Sequence, residues 1–352
     1  MHATRIDELI GGTPLIRLNS VSNDAKGIHI FGKLESINPG YSVKDRSALH
    51  MIERARADHK LREGSTIVES SSGNMGHALA MLCAAFKYRF ICVLDPKTPK
   101  ANITLVKAFG GIVEMVTVPD ESGGFQKKRI ALAKSIARRI PDCVNLDQYS
   151  NPAAIDAHFL HTGPEIYTQS GQAIDVLVGS ASTGSHLSGT AKYLKSVNPD
   201  IHVIGVEPKG SVVFGGEYQP FLQNGTGLSF TPDNILKSYI DEVVRVSDFD
   251  AFAACRRIAR SDGLLLGGSS GSVIHAAQAY AAKLGRPCKV VVILADGGLK
   301  YLETIYDDQW LINNNLGGLL NDQAPAREPG AAQPVNYVIE EQASLVEAEA
   351  PL

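Results

Sequence analysis

Thr66-Ile67-Val68-Glu69-Ser70-Ser71-Ser72-Gly73-Asn74-Met75-Gly76 joins a short β-branched run to a polar, glycine-containing turn and then to an apolar stretch, Gly76 to Ala85. A strand running through such a turn into a helix is one half of a βαβ unit. The alternation continues outward through Ile91-Cys92-Val93-Leu94, the amphipathic run Ala101 to Phe109, and Val113-Glu114-Met115-Val116. A second series supplies Asp175-Val176-Leu177-Val178, Val203-Ile204-Gly205-Val206 and Val290-Val291-Val292-Ile293-Leu294 as buried strands. This pattern predicts an α/β protein with two open, mainly parallel sheets flanked by helices.

A chain of 352 residues is long for one hydrophobic core and comfortable for two packed lobes sharing a cleft. Residues 41–150 are expected to form a smaller lobe, and residues 1–40 with 151–320 a larger one. The segment 322–352 turns to Pro, Ala, Gln and Glu without an apolar period and is expected to be a disordered acidic tail. A net charge of -3 leaves no basic field for nucleic acid or an anionic membrane, which favours small ligands. Five cysteines without a CxxC pair read as buried, reduced thiols of a cytoplasmic protein. No apolar run approaches the ~18 residues of a membrane span.

Four polar segments carry candidate chemistry. Asn38-Pro39-Gly40-Tyr41-Ser42-Val43-Lys44-Asp45-Arg46 puts Lys44 at the start of a helix running through Ala48, Met51, Ile52 and Ala55. The partial positive charge of a helix start disfavours an ammonium and so favours an amine able to form a Schiff base. A solvated lysine in a first turn is the plain alternative. Glu69 to Gly76 aims hydroxyls and an amide at one point, suiting a carboxylate, although Ser-rich helix starts also serve as simple caps. Gly179-Ser180-Ala181-Ser182-Thr183-Gly184-Ser185-His186 repeats the arrangement and looks like a phosphate cup. It lacks the lysine of a P-loop and a clean GxGxxG, so neither a nucleoside triphosphatase nor a dinucleotide binder is supported. Gly267-Gly268-Ser269-Ser270-Gly271-Ser272 could offer a hydroxyl to a heterocyclic nitrogen, or cap a tightly packed helix.

Together and in this order, the four segments resemble the fold-type-II pyridoxal-phosphate enzymes of the cysteine synthase and cystathionine β-synthase group, with a tryptophan synthase β-like two-lobed fold. The likeness runs from Gly11-Gly12-Thr13-Pro14-Leu15 to Asp296-Gly297-Gly298-Leu299-Lys300-Tyr301-Leu302. It implies pyridoxal 5'-phosphate as cofactor, held covalently by Lys44. Asn74 is then expected on the cofactor's ring oxygen, Ser182, Thr183, Gly184, Ser185 and His186 around its phosphate, and Ser269 at its pyridine nitrogen. A hydroxyl there leaves the ring a weaker electron sink, which suits β-elimination better than transamination. Ser71, Ser72, Gly73 and Gln148 are implied for the substrate carboxylate, and Gly225-Thr226-Gly227 for the entrance. The larger lobe becomes the cofactor-binding one, and residues 41–150 a mobile substrate lobe. Ser185 and His186 stand where the group usually has Gly and Thr, and Tyr41 replaces a glycine before the lysine.

Within the group the likeness narrows to the diaminopropionate-pathway synthases, which use O-phospho-L-serine and L-glutamate and feed a siderophore. Asp147-Gln148-Tyr149, Gly123-Gly124-Phe125 leading to Arg129, and Lys209-Gly210-Ser211-Val212-Val213-Phe214-Gly215 carry it. A phosphoserine needs a cation and hydroxyl donors beside its leaving group, and Arg129, Tyr149 and Ser182 supply those types; alternatively, Arg129 is an exposed helix charge beside Lys127 and Lys128. Two other functions stay open: β-replacement by sulfide or another thiol, and a non-catalytic binding partner. A homodimer is implied by the resemblance.

Overall fold

Val290-Val291-Val292-Ile293-Leu294 can be apolar at every position because both its faces are covered. In the computed structural model, which describes residues 2–120 and 124–321, Val290, Val292 and Leu294 join one core cluster, while Val291 and Ile293 join another on the opposite face. Such runs mark parallel strands sandwiched between helices. The described strands are β1 (Leu15–Arg17), β2 (Ile28–Leu34), β3 (Thr66–Ser70), β4 (Arg89–Leu94), β5 (Ile112–Met115), β6 (Cys143–Asn145), β7 (Val176–Ser180), β8 (His202–Pro208), β9 (Glu242–Val246) and β10 (Cys288–Leu294).

They form two sheets. The larger has the order β1-β2-β10-β7-β8-β9 and the smaller β5-β4-β3-β6. All pairings are parallel except β1 with β2, an antiparallel edge in which Ile16 faces Gly32. The helices Asp248–Asp262 and Gly268–Leu284 cover one face of the larger sheet, through Ala251, Cys255, Ile258, Val273 and Ala277. The helix Ser185–Val197 covers the other, through Leu187, Ala191 and Leu194. The smaller sheet is treated likewise. Ile67, Cys92 and Leu94 pack on Leu79 and Leu82 of the helix Asn74–Phe86, while Val68 and Val93 pack on Ala133 and Ile136 of the helix Gln126–Arg139. The tail 322–352 lies outside the described residues.

Lys44 is the first residue of the helix Lys44–Ala57, and its surroundings hold it to the larger sheet. Ahead of it, the Val43 amide donates to the Ala295 carbonyl, one residue beyond β10, at 2.8 Å. Two residues after it, the Arg46 guanidinium meets Glu35 (2.7 Å) and Glu165 (2.7 Å), and Glu165 also receives the Lys33 ammonium at 2.6 Å. Lys33 and Glu35 are wholly buried at the end of β2. Charges removed from water this completely persist only when paired, and stranding one is costly. Arg46→Leu, which leaves Glu35 without its cation, is therefore expected to lower the unfolding free energy by roughly 3–5 kcal/mol in urea denaturation. A loss below about 1 kcal/mol would show that the network is not structural.

Candidate active site

Parallel strands deliver their loops at their carboxyl ends, and ligands in such sheets bind there. The loops after β3, β4, β7 and β10 converge with the start of the helix Lys44–Ala57 around a cavity of about 300 Å³. Lys44 lines it. Burial lowers the amine to about 8, opposed by the charge of Asp296, and among the described residues its Nζ has no hydrogen-bond or ion-pair partner. An amine so depressed carries a usable lone pair near neutrality. The plain reading of Lys44 as a solvated side chain fails on its burial. Tyr41, where the resemblance expects glycine, takes φ +62 and stays half exposed, so the turn's left-handed conformation is kept despite a side chain.

Ser71, Ser72, Gly73 and Asn74 form one wall. The Ser71 hydroxyl accepts from the Gly76 amide at 3.0 Å, so it does cap this helix start. Asn102 donates to the Ser72 carbonyl at 2.9 Å and braces the loop. Gln148 lines the opposite wall, with its side-chain nitrogen already donating to the Ser70 carbonyl at 2.8 Å. Beneath both lies Glu69, a buried acid accepting from the Ser70 and Gln148 amides at 2.9 and 3.2 Å. Burial pushes its carboxyl up to about 8, against those hydrogen bonds.

Arg129 answers the question left open by its sequence. Its neighbours Lys127 and Lys128 are exposed, whereas Arg129 is 6% exposed and turns into the cavity, its Nε 3.2 Å from Asp95. Its Nε and Nη1 are buried and, among the described residues, lack a hydrogen bond. Tyr149 stands beside it, buried against Phe230, its hydroxyl accepting from Gln126 at 3.4 Å and its pKa raised by burial.

Ser182 and Thr183 reach the cavity, and no side chain caps the helix Ser185–Val197 behind them. Gly184 takes φ +90 with Ile235 packed 2.7 Å from where a Cβ would stand, so only glycine fits there. Gly225 (φ +81) also lines the cavity, with the Tyr301 hydroxyl 3.6 Å from its missing Cβ. Gly184, Ser185, His186 and Ser269 lie outside the cavity lining. His186 does not turn toward solvent: it is 2% exposed, edge-on to His158 at 6.2 Å, with a pKa driven well below normal by burial and by Lys44. Ser269 is buried in the first turn of the helix Gly268–Leu284.

Asp95, Lys97, Asp296, Lys300 and Tyr301 also belong to this site, and the reading by motif missed them. Asp95 and Asp296 could have been found, because each directly follows an apolar strand. Among the described residues no group of acidic, histidine and cysteine side chains could hold a metal ion, and no helix is long and apolar enough to cross a membrane.

An isolated amine in a closed cleft, a helix start open to an anion and an arginine with unused N–H groups fit an aldehyde-bearing phosphate cofactor. These features define a fold-type-II α/β enzyme. The chain belongs to the pyridoxal-phosphate dependent enzyme family, whose model matches residues 6–296; it is a pyridoxal-phosphate-dependent enzyme of the β-substitution type. It is 37% identical over 329 residues to N-(2-amino-2-carboxyethyl)-L-glutamate synthase of Ralstonia nicotianae, covering 93% of this chain and 97% of that one. The enzyme of the same name from Cupriavidus metallidurans is 37% identical over 314 residues, covering 88% and 92%. Among solved structures, a hydrogen sulfide-producing enzyme from Fusobacterium nucleatum superposes with a TM-score of 0.80 at 33% identity, covering 86% of this chain and 100% of that one. O-ureido-L-serine synthase does so with 0.81 at 30% identity, covering 89% and 100%.

Glu69 makes stability pH-dependent. Its folded-state pKa of about 8 exceeds the 4.5 of a free glutamate, so the folded chain keeps a proton that the unfolded chain releases. Stability is therefore expected to fall as pH rises from about 4.5 and to level off above about 8. Glu69→Gln should flatten that slope in thermal melts; an unaltered slope would mean that Glu69 is ionised throughout.

Proposed function

We propose that this enzyme replaces the phosphate of O-phospho-L-serine with L-glutamate, giving N-(2-amino-2-carboxyethyl)-L-glutamate and inorganic phosphate. The observation that carries the reading is Arg129, whose buried Nε and Nη1 lack a hydrogen bond among the described residues, beside Tyr149 and Ser182 in the cavity. A buried guanidinium held only by the Asp95 ion pair keeps N–H groups free for a charged ligand, and its fork matches phosphate. The product named for the two bacterial relatives supports glutamate as nucleophile.

In this reading Lys44 bonds the cofactor, Asn74 donates to its ring oxygen, the turn Ser182 to His186 receives its phosphate, and Ser269 meets its pyridine nitrogen. The bound cofactor supplies an electron sink that makes the substrate α-proton removable and the β-substituent expellable. Ser71, Ser72, Gly73 and Gln148 hold the substrate carboxylate. With the cofactor bound to the substrate, the Lys44 amine would take the α-proton, and its low pKa keeps it ready for that task. Arg129, Tyr149 and Ser182 stabilise the departing phosphate, the glutamate amine then takes the vacated position on the β-carbon, losing a proton, and Lys44 returns the α-proton to the α-carbon. Gly225 borders the way in. Residues 41–150 act as the mobile substrate lobe, and the protein works as a cytoplasmic homodimer, as the resemblance implies.

A thiol nucleophile is the second reading, favoured by the likeness to a hydrogen sulfide-producing enzyme. Purified protein given O-phospho-L-serine with equal glutamate and sulfide is expected to release phosphate and form the glutamate adduct by mass spectrometry; cysteine as the main product would refute the assignment. Arg129→Gln is expected to cut kcat/KM for O-phospho-L-serine about a hundred-fold while affecting O-acetylserine far less. Equal losses on both would remove Arg129 from the leaving-group site.

A further inference from the structure

Asp296 is a buried carboxylate one residue beyond Ala295, at the carboxyl end of β10. Its Oδ2 accepts from Asn74 Nδ2 at 2.8 Å and from the Tyr301 hydroxyl at 2.7 Å. Its Oδ1 is buried without a hydrogen-bond partner among the described residues. Asn74 Oδ1, in turn, accepts from the Lys300 ammonium. A carboxylate can only accept and an ammonium can only donate. The two clamp the Asn74 amide from opposite ends, so its nitrogen and oxygen cannot exchange places. One hydrogen on Nδ2 is committed to Asp296, and the second has no partner among the described residues of the cavity wall.

The residue that carries this carboxylate is tied by its backbone to the turn before the lysine, and its charge acts on the Lys44 amine. Ser42 and Asp296 form an antiparallel bridge, and the adjoining Val43 amide donates to the Ala295 carbonyl at 2.8 Å. The other titratable groups around Lys44 offer it little negative charge. His158 and His186, across from it, are held neutral by burial. On its own helix, Asp45 is pushed up to about 7 by burial, and Arg46 is committed to Glu35 and Glu165. Lys300, from the loop after β10, is engaged with Asn74.

We propose that Asp296 is a positioning residue of the cofactor site: it holds Asn74 in the one amide orientation that leaves an N–H for the cofactor, and it sets a negative charge beside the loop that carries Lys44. Its position, two residues past the end of the strand beside the lysine loop, couples both tasks to a single side chain. The role follows from membership of the pyridoxal-phosphate family and is independent of which nucleophile the enzyme uses.

The pH midpoint of the holoenzyme's visible absorption change reads the proton held at the Lys44 nitrogen. Asp296→Asn keeps the shape and an oxygen for both donors but removes the charge. Its midpoint is expected to fall by about one pH unit, with cofactor affinity close to the parent's. Asp296→Ala also removes the acceptor, and its cofactor dissociation constant, measured by fluorescence titration, is expected to rise about ten-fold. An unmoved midpoint in Asp296→Asn, or parental affinity in Asp296→Ala, overturns the proposal. Tyr301→Phe carries the test if neither variant folds. It withdraws one donor from the carboxylate, leaving more of its charge unshared, so the midpoint is expected to rise; an unchanged or lower value overturns the assignment.

Discussion

The buried guanidinium of Arg46 is the constraint on which the geometry of this molecule rests. It lies two residues past Lys44 and is gripped by Glu35, from the end of a strand in the larger sheet, and by Glu165, from the helix Gly163–Gln169. Lys33 neutralises Glu165 in the same pocket. Ions this far from water tolerate little displacement, because each must keep its partners or meet a large desolvation cost. The helix that begins with the reactive amine is therefore locked in position from behind, while its front remains open to the cavity. Rigid support beneath a reactive group is what keeps catalytic geometry within tolerance.

Around that anchor, the site is assembled from strand ends. Past the end of each of these apolar strands the chain supplies a polar residue to the site: Ser71 after β3, Asp95 after β4, Ser182 after β7 and Asp296 after β10. Parallel topology aims all of these the same way. The cavity thus acquires helix starts with unused N–H groups on one side and an arginine with unsatisfied donors on another, an arrangement that favours anions with more than one acidic group. Glu69, with its carboxyl pushed up by burial, shows the strain such convergence leaves behind.

Much of the fold was legible along the chain. Short β-branched runs alternating with amphipathic stretches identified β3, β4, β5, β7, β8 and β10 to within a few residues, and all of these but β5 are strands buried on two faces that leave uninterrupted apolar runs. Strand β2 was missed because His29, Gly32 and Lys33 interrupt its apolar run. Strands β1, β6 and β9 were missed as well. They are short or lie at sheet edges, and their burial is partial, so no apolar run announces them. Lys44, Ser71 to Asn74, Ser182 and Thr183, singled out along the chain, line one cavity, because backbone turns at strand ends need particular residue types in a fixed local order.

What the sequence by itself determined is local: which segments are strands and helices, which turns carry glycine and hydroxyls, and which lysine begins a helix after a turn. These depend on neighbours a few residues apart. Only the tertiary structure decided that Arg129 points inward while Lys127 and Lys128 do not, that His186 is sealed in the interior, and that Asn74 meets Asp296 across 222 positions of chain. Burial and charge act through space at distances of a few ångströms, so the pairings that tune an ionisable group cannot be read from its neighbours in the chain.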